Sequence, residues 1–422
     1  MIRIVAGAVA LIAFLGATLA KDSSASVRVP AHASASQSAG SDARNPEAPL
    51  IGDSTGALYG TSTQGGDVRC LHGCGTVFKL TPSGTRYRES ILYAFQGTPD
   101  GFTPGAGLIA DSSGSLFGTT VNGGTYDWGT VFKLTPTMNG YVETILYSFQ
   151  GDPNGSDPFA SLFEDSSGAL YGTTFDFGPV VFGNVFKLTP HNGGYIFSII
   201  HSFNGSDGAY PQAALIADAG GALYGTARGG GPGPGSGTVF KLTPHGSAYD
   251  FTLLYTFTGG LDGGTPEAAL LADSGGALYG TTEFGGAAGK GTVFKLTPTA
   301  NGYSESVLHS FAGGADGHHP VAPLIGDGTG ALYGTTQGIY NAQRFGTAFK
   351  LTPSGNGYDY SVLHVFEGGS DGGIVDAPLI EDKMGRLYGT TLAGGTVGLG
   401  TVYKLTPVAG GYHKVVLHNF QH

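Results

Sequence analysis

The chain carries little basic charge. Lys and Arg together number 20, against 31 Asp and Glu, so the formal net charge is −11 over 422 residues. Broad binding to phosphate backbones needs clustered Lys and Arg. The sequence therefore predicts no nucleic-acid partner.

Cysteine and long apolar runs are also scarce. Cys70 and Cys74 are the only two cysteines and lie close together in the stretch RCLHGCGT. In an exported protein this spacing predicts a local disulfide, and with only His72 beside the pair we expect no metal site there. Beyond the N-terminal region, no apolar stretch reaches membrane-spanning length. We expect no cofactor and no contact with a membrane after removal of a leader.

The N-terminal region has the composition of an export signal. Arg3 precedes the apolar run 4–16, and small residues continue as far as Ala20, which is a cleavage-site pattern. An uncleaved anchor is the alternative. No cysteine follows the run, which argues against a lipoprotein anchor. Residues 1–20 are therefore predicted to be a signal peptide of a secreted or periplasmic protein.

A spacer and one folded region are expected after the signal. Residues 21–45 are dominated by Ser and Ala and show no apolar period, which is typical of a flexible spacer. The folded region is predicted to cover residues 46–422.

Glycine and aromatic residues are abundant, with 76 Gly, 21 Tyr and 25 Phe. A Leu-aromatic-Gly unit recurs seven times, at spacings of 53 to 58 residues. A fixed period of this size indicates a solenoid or a propeller. The seven copies start at Leu58, Leu116, Leu170, Leu223, Leu278, Leu332 and Leu387.

Each copy contains four short strand-like runs. In the fifth copy they are residues 269–271, 277–282, 292–297 and 303–311. Asp opens the first turn of every copy and Gly closes it three residues later, a pattern typical of a tight hairpin. The sequence therefore predicts an all-β fold, a seven-bladed β-propeller with four antiparallel strands per blade. A linear β-solenoid is the alternative.

The repeated core, LYGTT…GG…GTVFKLTP, resembles the GloVer family of tandem repeats found in exported bacterial proteins. The resemblance covers residues 46–422 and implies export but no particular activity. Family members often end in an anchoring tail, whereas this chain ends at His422, so we expect a freely secreted product. The copies depart from the core at Phe117, Asn184, Ala348 and Tyr403.

Residues present in all seven copies are expected to hold the blades together, because one active site needs one set of groups. A Lys recurs in every third strand, and its end of the strand should share a rim with the turn Asp. We therefore predict repeated Lys–Asp pairs, such as Lys295 with Asp273 or with the equivalent aspartate next door. The alternative is a lysine that extends into solvent.

Function is expected on the opposite face, where the loops differ between copies. Trp128 is the only tryptophan and ends the variable loop VNGGTYDW. An indole beside a carboxylate suits stacking on a sugar or gripping a protein. Packing in front of the third strand, where other copies have Phe182 and Phe345, is the alternative. The predicted ligand-binding residues are Tyr126, Asp127, Trp128, Tyr340, Arg344 and Phe345.

Two classes of function remain open. The first is a non-catalytic binding scaffold for an extracellular glycan or protein, acting as a monomer. The second is a secreted glycan hydrolase or lyase that uses two carboxylates of the loop face as an acid/base pair. The candidate carboxylates are Asp127, Asp176, Glu283 and Glu367.

Overall fold

The computed structural model describes residues 41–67, 69–176, 182–233, 235–338 and 345–421. Seven antiparallel sheets of four strands follow one another along the chain, and we number them as blades 1 to 7. Within every sheet the strands pair in chain order, first to fourth. The seven-bladed β-propeller predicted from the repeat is confirmed.

The strands of equivalent rank have nearly equal lengths in all blades. The first strands are Ile51–Gly52, Ile109–Ala110, Phe163–Glu164, Ile216–Ala217, Leu271–Ala272, Ile325–Gly326 and Ile380–Glu381. The second strands are Leu58–Ser62, Leu116–Thr120, Leu170–Thr174, Leu223–Ala227, Leu278–Thr282, Leu332–Thr336 and Leu387–Thr391. The third strands are Thr76–Ser83, Thr130–Thr137, Asn184–His191, Thr238–His245, Thr292–Thr299, Thr347–Ser354 and Thr401–Val408. The fourth strands are Arg86–Ala94, Gly140–Ser148, Gly194–Ser202, Ala248–Thr256, Gly302–Ser310, Gly357–Val365 and Gly411–Asn419.

The glycine of the Leu-aromatic-Gly unit has a steric cause. In blade 5, Gly280 lies opposite Phe294 on the third strand, and a Cβ at Gly280 would lie 2.5 Å from Cζ of that ring. Only a residue without a side chain lets the phenylalanine lie flat across the second strand. The same close approach recurs in all seven blades. The repeated motif is therefore a packing motif.

The first hairpin turn is closed by its aspartate. Asp273 Oδ1 accepts hydrogen bonds from the backbone N–H groups of Gly275 and Ala277, at 2.8 and 2.9 Å. Gly276 takes the left-handed conformation, at φ +80°. This matches the turn predicted from the Asp and Gly spacing.

The hydrophobic core is divided into seven buried clusters, each shared by two neighbouring blades. One of them joins blade 7 to blade 1, where the rings of Phe78 and Phe420 meet edge to face at 5.2 Å. Glu89 adds polar contacts there, since its carboxylate lies 2.9 Å from His418 Nε2 and accepts the N–H of Ala43. These contacts close the ring.

Residues 41–44, just before residue 46, take part in the fold. Ser41–Arg44 forms a strand that pairs with Gln64–Gly66, and Ala43 is fully buried in the cluster that closes the ring. An apolar contact and a strand pairing therefore hold residues 41–44, which the sequence analysis assigned to the spacer. The predicted signal peptide and the spacer as far as residue 40 lie outside the described residues. In the described part of the chain, no helix has the length and apolarity needed to span a bilayer.

The two faces of the ring carry different connections. The loops after the second strands meet the connections between blades through backbone bridges such as Gly264 with Phe284 and Gly373 with Ala393. We call this side the loop face. The Asp turns and the Thr-Pro turns lie on the opposite side, which we call the turn face.

Candidate functional site

A cavity of about 360 Å³ opens on the axis of the ring at the loop face. All seven blades contribute to it through one repeated position, four residues before the first strand, which we call the entry ring. The entry ring consists of Glu47, Gly105, Phe159, Gln212, Glu267, Val321 and Asp376. Because six residue types occupy this position in the seven copies, its side chains do not serve the common blade structure.

A second position, directly after each second strand, adds to the cavity in three blades. We call it the strand-end ring, and Arg228, Glu283 and Gln337 are its members in blades 4, 5 and 6. The other four members are Thr63, Val121, Phe175 and Leu392. Charged side chains therefore converge on the axis from blades 1, 4, 5 and 7.

Arg228 organises part of this charge. Its Nε lies 2.5 Å from Glu267 Oε1, and its Nη2 lies 3.5 Å from Glu283 Oε2. The other oxygen of Glu283 lies 3.6 Å from Nδ1 of His319. One guanidinium thus contacts two carboxyl groups that also lie close to each other, and both carboxyl side chains are less than 15% exposed.

The enclosed setting shifts three carboxyl groups toward the protonated form. Burial, and secondarily the negative charge of Glu283, raises the pKa of Glu267 well above its usual range, although Arg228 opposes this. Glu47 is exposed toward the open cavity, and the protein around it, together with the negative charge of Asp376, raises its pKa to about 7. Burial raises the pKa of Asp376 to about 6. Near neutral pH these groups can therefore act as donors as well as acceptors.

Blade 3 supplies an apolar wall to the same cavity. Phe159 of the entry ring is 41% exposed and meets buried Phe175 edge to face at 5.7 Å. Tyr210 packs against Phe175, with ring centroids 5.4 Å apart. In a ring of seven, blade 3 lies opposite blades 6 and 7, so the aromatic wall faces Gln337 and Asp376 across the axis.

Of the four carboxylates singled out from the sequence, Glu283 lines this cavity. Asp176 is buried and bound by Thr174 and by the amide of Asn184, at 2.8 and 3.1 Å, so it supports its own loop. Burial raises its pKa. Asp127 accepts hydrogen bonds from Thr98 and from the N–H of Gly123. Glu367 is exposed on a connection between blades. The structure does not bring these four together.

The predicted aromatic residues lie farther out on the loop face. Trp128 is 47% exposed and its indole covers Gly151, as Phe182 covers Gly205 and Phe345 covers Gly368 in their blades. Tyr126 is 53% exposed beside it. Tyr340 and Arg344 lie outside the described residues. Trp128, Phe182 and Phe345 thus occupy equivalent positions in their blades. The indole of Trp128 both packs on a glycine and presents an exposed surface.

Cys70 and Cys74 form a disulfide in the loop after the second strand of blade 1, with Cα atoms 5.0 Å apart. Their sulfur atoms lie over Gly97, at the place where Trp128 covers Gly151. Among the described residues, no group of three or more His, Cys, Asp and Glu side chains is arranged to hold a metal ion.

The turn face carries a repeated polar arrangement. The predicted Lys–Asp pairs come within 4.0 Å in three blades, as Lys79–Asp53, Lys133–Asp111 and Lys241–Asp218 at 4.0, 3.7 and 3.9 Å. Among the described residues, Lys295 and Asp273 are not within that distance, so the pairing is not repeated in every blade. The ring of the Leu-aromatic-Gly unit adds a contact that the sequence did not reveal. In blades 1 to 6 the lysine Nζ lies 4.9 to 5.2 Å from that ring.

A larger cavity, of about 1310 Å³, lies beside these turns and is lined by blades 1 to 4. Its aspartates are already engaged. Asp53, for example, accepts hydrogen bonds from Thr55, Ala57 and Tyr59. Because its polar groups stabilise the turns, they are less available to a ligand than those of the axial cavity, although this cavity is larger.

Sequence reasoning missed Glu47, Arg228, Glu267 and Asp376. The sequence does contain a signal for these residues. Each occupies a position next to an almost constant stretch of the repeat, and the residue type at that position changes from copy to copy. Varied positions inside constant surroundings are where a repeat protein can place function.

Comparison with known proteins adds the family and the fold. The model of the Gloeobacter/Verrucomicrobia repeat matches residues 30–234 and 215–422. No curated protein matches the chain significantly. A Bacteroides uniformis protein named as a candidate 6-phosphogluconolactonase is 13% identical over 76% of this chain and 84% of its own, with a TM-score of 0.50. PorZ, a surface component of the type-IX secretion system of Porphyromonas gingivalis, is 14% identical over 88% of this chain and 54% of its own, with a TM-score of 0.53.

At such low identity the two solved structures share the propeller architecture with this chain and say nothing of its ligand. The family match rests on the repeat itself and spans nearly all of the folded region. The chain belongs to the Gloeobacter/Verrucomicrobia repeat family.

Proposed function

We propose that this protein is an exported, non-catalytic binding module that holds an extracellular glycan in the axial cavity of its loop face. The observation that carries the proposal is the convergence of Arg228, Glu267, Glu283 and Asp376 opposite the exposed ring of Phe159. Ligand sites combine an apolar wall with a few polar groups that fix orientation. Sugars present both hydroxyl groups and flat apolar faces, so they match this lining.

The arrangement of Arg228 supports binding over hydrolysis. Glycosidases generally place two carboxyl groups about 5 to 9.5 Å apart, with the substrate or a water between them. Here Glu267 and Glu283 are within hydrogen-bonding reach of each other, and the guanidinium of Arg228 contacts both, so the two carboxyl groups do not have that separation. A sugar entering the cavity would meet a fixed ion cluster that can hydrogen-bond to hydroxyl groups.

Export supports a ligand outside the cytoplasm. Residues 1–20 have the composition of a signal peptide, and Cys70 and Cys74 are bridged, which suits an oxidising compartment. We propose that the mature protein is secreted or periplasmic.

A glycan array probed with the full mature chain tests the proposal. Calorimetry with the selected glycan should then show that Glu283→Gln weakens binding at least about tenfold, because a charge-assisted contact is lost. The matched control is Glu367→Gln, a carboxylate exposed on the same face but outside the cavity lining. Unchanged affinity in Glu283→Gln, or no glycan bound at all, would contradict the proposal.

A glycan hydrolase or lyase is the second candidate function. It is favoured by Glu267, whose raised pKa beside a second carboxyl group is the environment that general acids need. Incubation of the array-selected glycan with the protein, followed by measurement of new reducing ends, separates the two candidates. Release that disappears in Glu267→Gln would establish catalysis and overturn the non-catalytic assignment.

A further inference from the structure

The axial cavity contains more acid than base. Its wall carries four carboxyl groups, on Glu47, Glu267, Glu283 and Asp376, and one guanidinium, on Arg228. His319 adds an imidazole, but it lies against Glu283. Arg228 contacts Glu267 and Glu283, so the basic charge of the cavity is concentrated on one pair of acids.

The other two acids lie apart from that cluster. Within the described ranges, neither Glu47 nor Asp376 has a basic side chain within 4.0 Å. Instead, the negative charge of Asp376 acts on Glu47. Thr63 approaches Glu47 at 3.4 Å, which is a weak contact. Two interacting acids of one cavity, neither with a basic side chain within 4.0 Å, indicate a place for a positively charged group.

Asp376 provides an independent observation. The side chain of Gln337 hydrogen-bonds to this carboxyl group and opposes the rise of its pKa, but Oδ1 is buried and has no hydrogen-bond partner among the described residues, and the side chain lines the cavity. A buried acceptor without a donor is unfavourable by about 1–3 kcal/mol, and more when charged. Native proteins keep few such atoms, and those that remain often await a ligand or an ion. This oxygen therefore needs a donor supplied by whatever enters.

The opposite wall limits what kind of cation fits. Phe159 is open to the cavity and is backed by Phe175. Its ring can stack on the apolar face of a sugar while the polar edge of that sugar turns toward blade 7. An ammonium carried on a sugar ring offers three donors from one point charge, enough to reach acceptors on both blade 1 and blade 7.

We propose that the glycan held in the axial cavity is an amino sugar with a free ammonium group, bound between Glu47 and Asp376 while its ring stacks on Phe159. This inference rests on the proposed function. It adds that the ligand is cationic and that an N-acetylated sugar, which has neither the charge nor the small amine, binds less well.

Calorimetry with two oligosaccharides tests the inference directly. The probes are a glucosamine tetramer and its fully N-acetylated counterpart, each titrated into the full mature chain. The glucosamine tetramer should bind at least about tenfold more tightly. Asp376→Asn and Glu47→Gln should each weaken it by about tenfold or more, while Glu367→Gln leaves it unchanged. Because both substitutions remove a charge that the empty cavity disfavours, folding should be retained, and a thermal melt checks this.

The outcomes separate the inference from the function on which it rests. Equal affinity for the two tetramers, or preference for the N-acetylated one, overturns the ammonium site and leaves glycan binding intact. Binding of only neutral glycans on the array does the same. If no glycan binds, or if a lysine-rich peptide binds in their place, the inference and the proposed function both fail. Retained affinity in Asp376→Asn overturns the assigned position.

Discussion

The two faces of this propeller use the same repeat in opposite ways. On the turn face, the turn aspartate of six blades, all but blade 2, accepts a hydrogen bond from the tyrosine hydroxyl of its own blade. On the loop face, the entry ring changes from Glu to Gly, Phe, Gln, Val and Asp.

The comparison teaches that, in this chain, repetition marks what builds the blade and variation marks what is free to bind. A group required once per blade must be present in every blade. A group required once per molecule can appear in a single blade, at a position that the fold already directs toward the axis. The changes below test this division, in order of expected effect.

Phe294→Ala, at a repeated core position, should produce the largest loss of stability. The ring is fully buried and lies across Gly280, so its removal leaves a cavity between blades 4 and 5. We expect unfolding in denaturant to become easier by about 3–5 kcal/mol. The matched cavity variant, Glu283→Gln, should lose ligand affinity and little stability. A Phe294→Ala protein as stable as the wild type would break the comparison.

Glu143→Gln tests a varied position away from the cavity. Burial and nearby Asp100 raise the pKa of Glu143 from its ordinary 4.5 to about 8. Between these values the unfolded chain has lost a proton that the folded protein keeps, so the wild type loses stability as pH rises. Glutamine removes that dependence.

We therefore expect Glu143→Gln to gain stability relative to the wild type between pH 5 and pH 8. The folding equilibrium constant should shift at least tenfold, or about 1.4 kcal/mol. Denaturant titrations at the two pH values measure this, with exposed Glu367→Gln as control. If the difference in unfolding free energy between variant and wild type is the same at both pH values, the carboxyl group of Glu143 is ionised in the folded state.

Tyr279→Phe examines the turn face. It removes the hydroxyl that donates to Asp273 at 3.0 Å and keeps the ring under Lys295. The expected loss is about 0.5–1.5 kcal/mol in denaturant unfolding, with ligand affinity unchanged. Blade 2 has Phe117 at this position and is the natural precedent. A clear loss of glycan affinity would move the binding site to the turn face.

Trp128 should give the smallest effect, since it lies outside the cavity lining. If a longer glycan extends from the axis onto the loops, Trp128→Ala weakens its binding by about 1 kcal/mol, through lost stacking. A ligand of one sugar unit should be unaffected, and the melting temperature should stay within a few degrees. Trp128→Phe, which keeps the cover over Gly151, is the matched control. A large drop in melting temperature for Trp128→Ala would instead assign the indole to packing.

The sequence reached the architecture because each blade is specified locally. Asp273 and Gly276 fix one turn, and Gly280 with Phe294 fixes one crossing of strands, all within a short stretch of chain. Repetition then multiplies these local signals sevenfold. Composition does not reveal the role of residues 41–44, because Ala43 is held by contacts with distant parts of the chain.

The candidate site was reached only in part. Glu283 was singled out as a carboxylate that breaks the symmetry, but Asp127, Asp176 and Glu367, grouped with it, are separated from it in space. The hydrogen bonds of Asp127 and Asp176 depend on how each loop folds back on its own blade. The spacing of residues along a loop does not encode that direction.

The sequence by itself determined the number of blades, their strands and the residues that fill the gaps between them. Only the tertiary structure decided that Glu47 and Asp376, at opposite ends of the folded region, act on each other at the axis. The physical reason is ring closure. A propeller brings one repeat position of every blade to the same radius, so groups that are remote along the chain meet once blade 7 packs against blade 1.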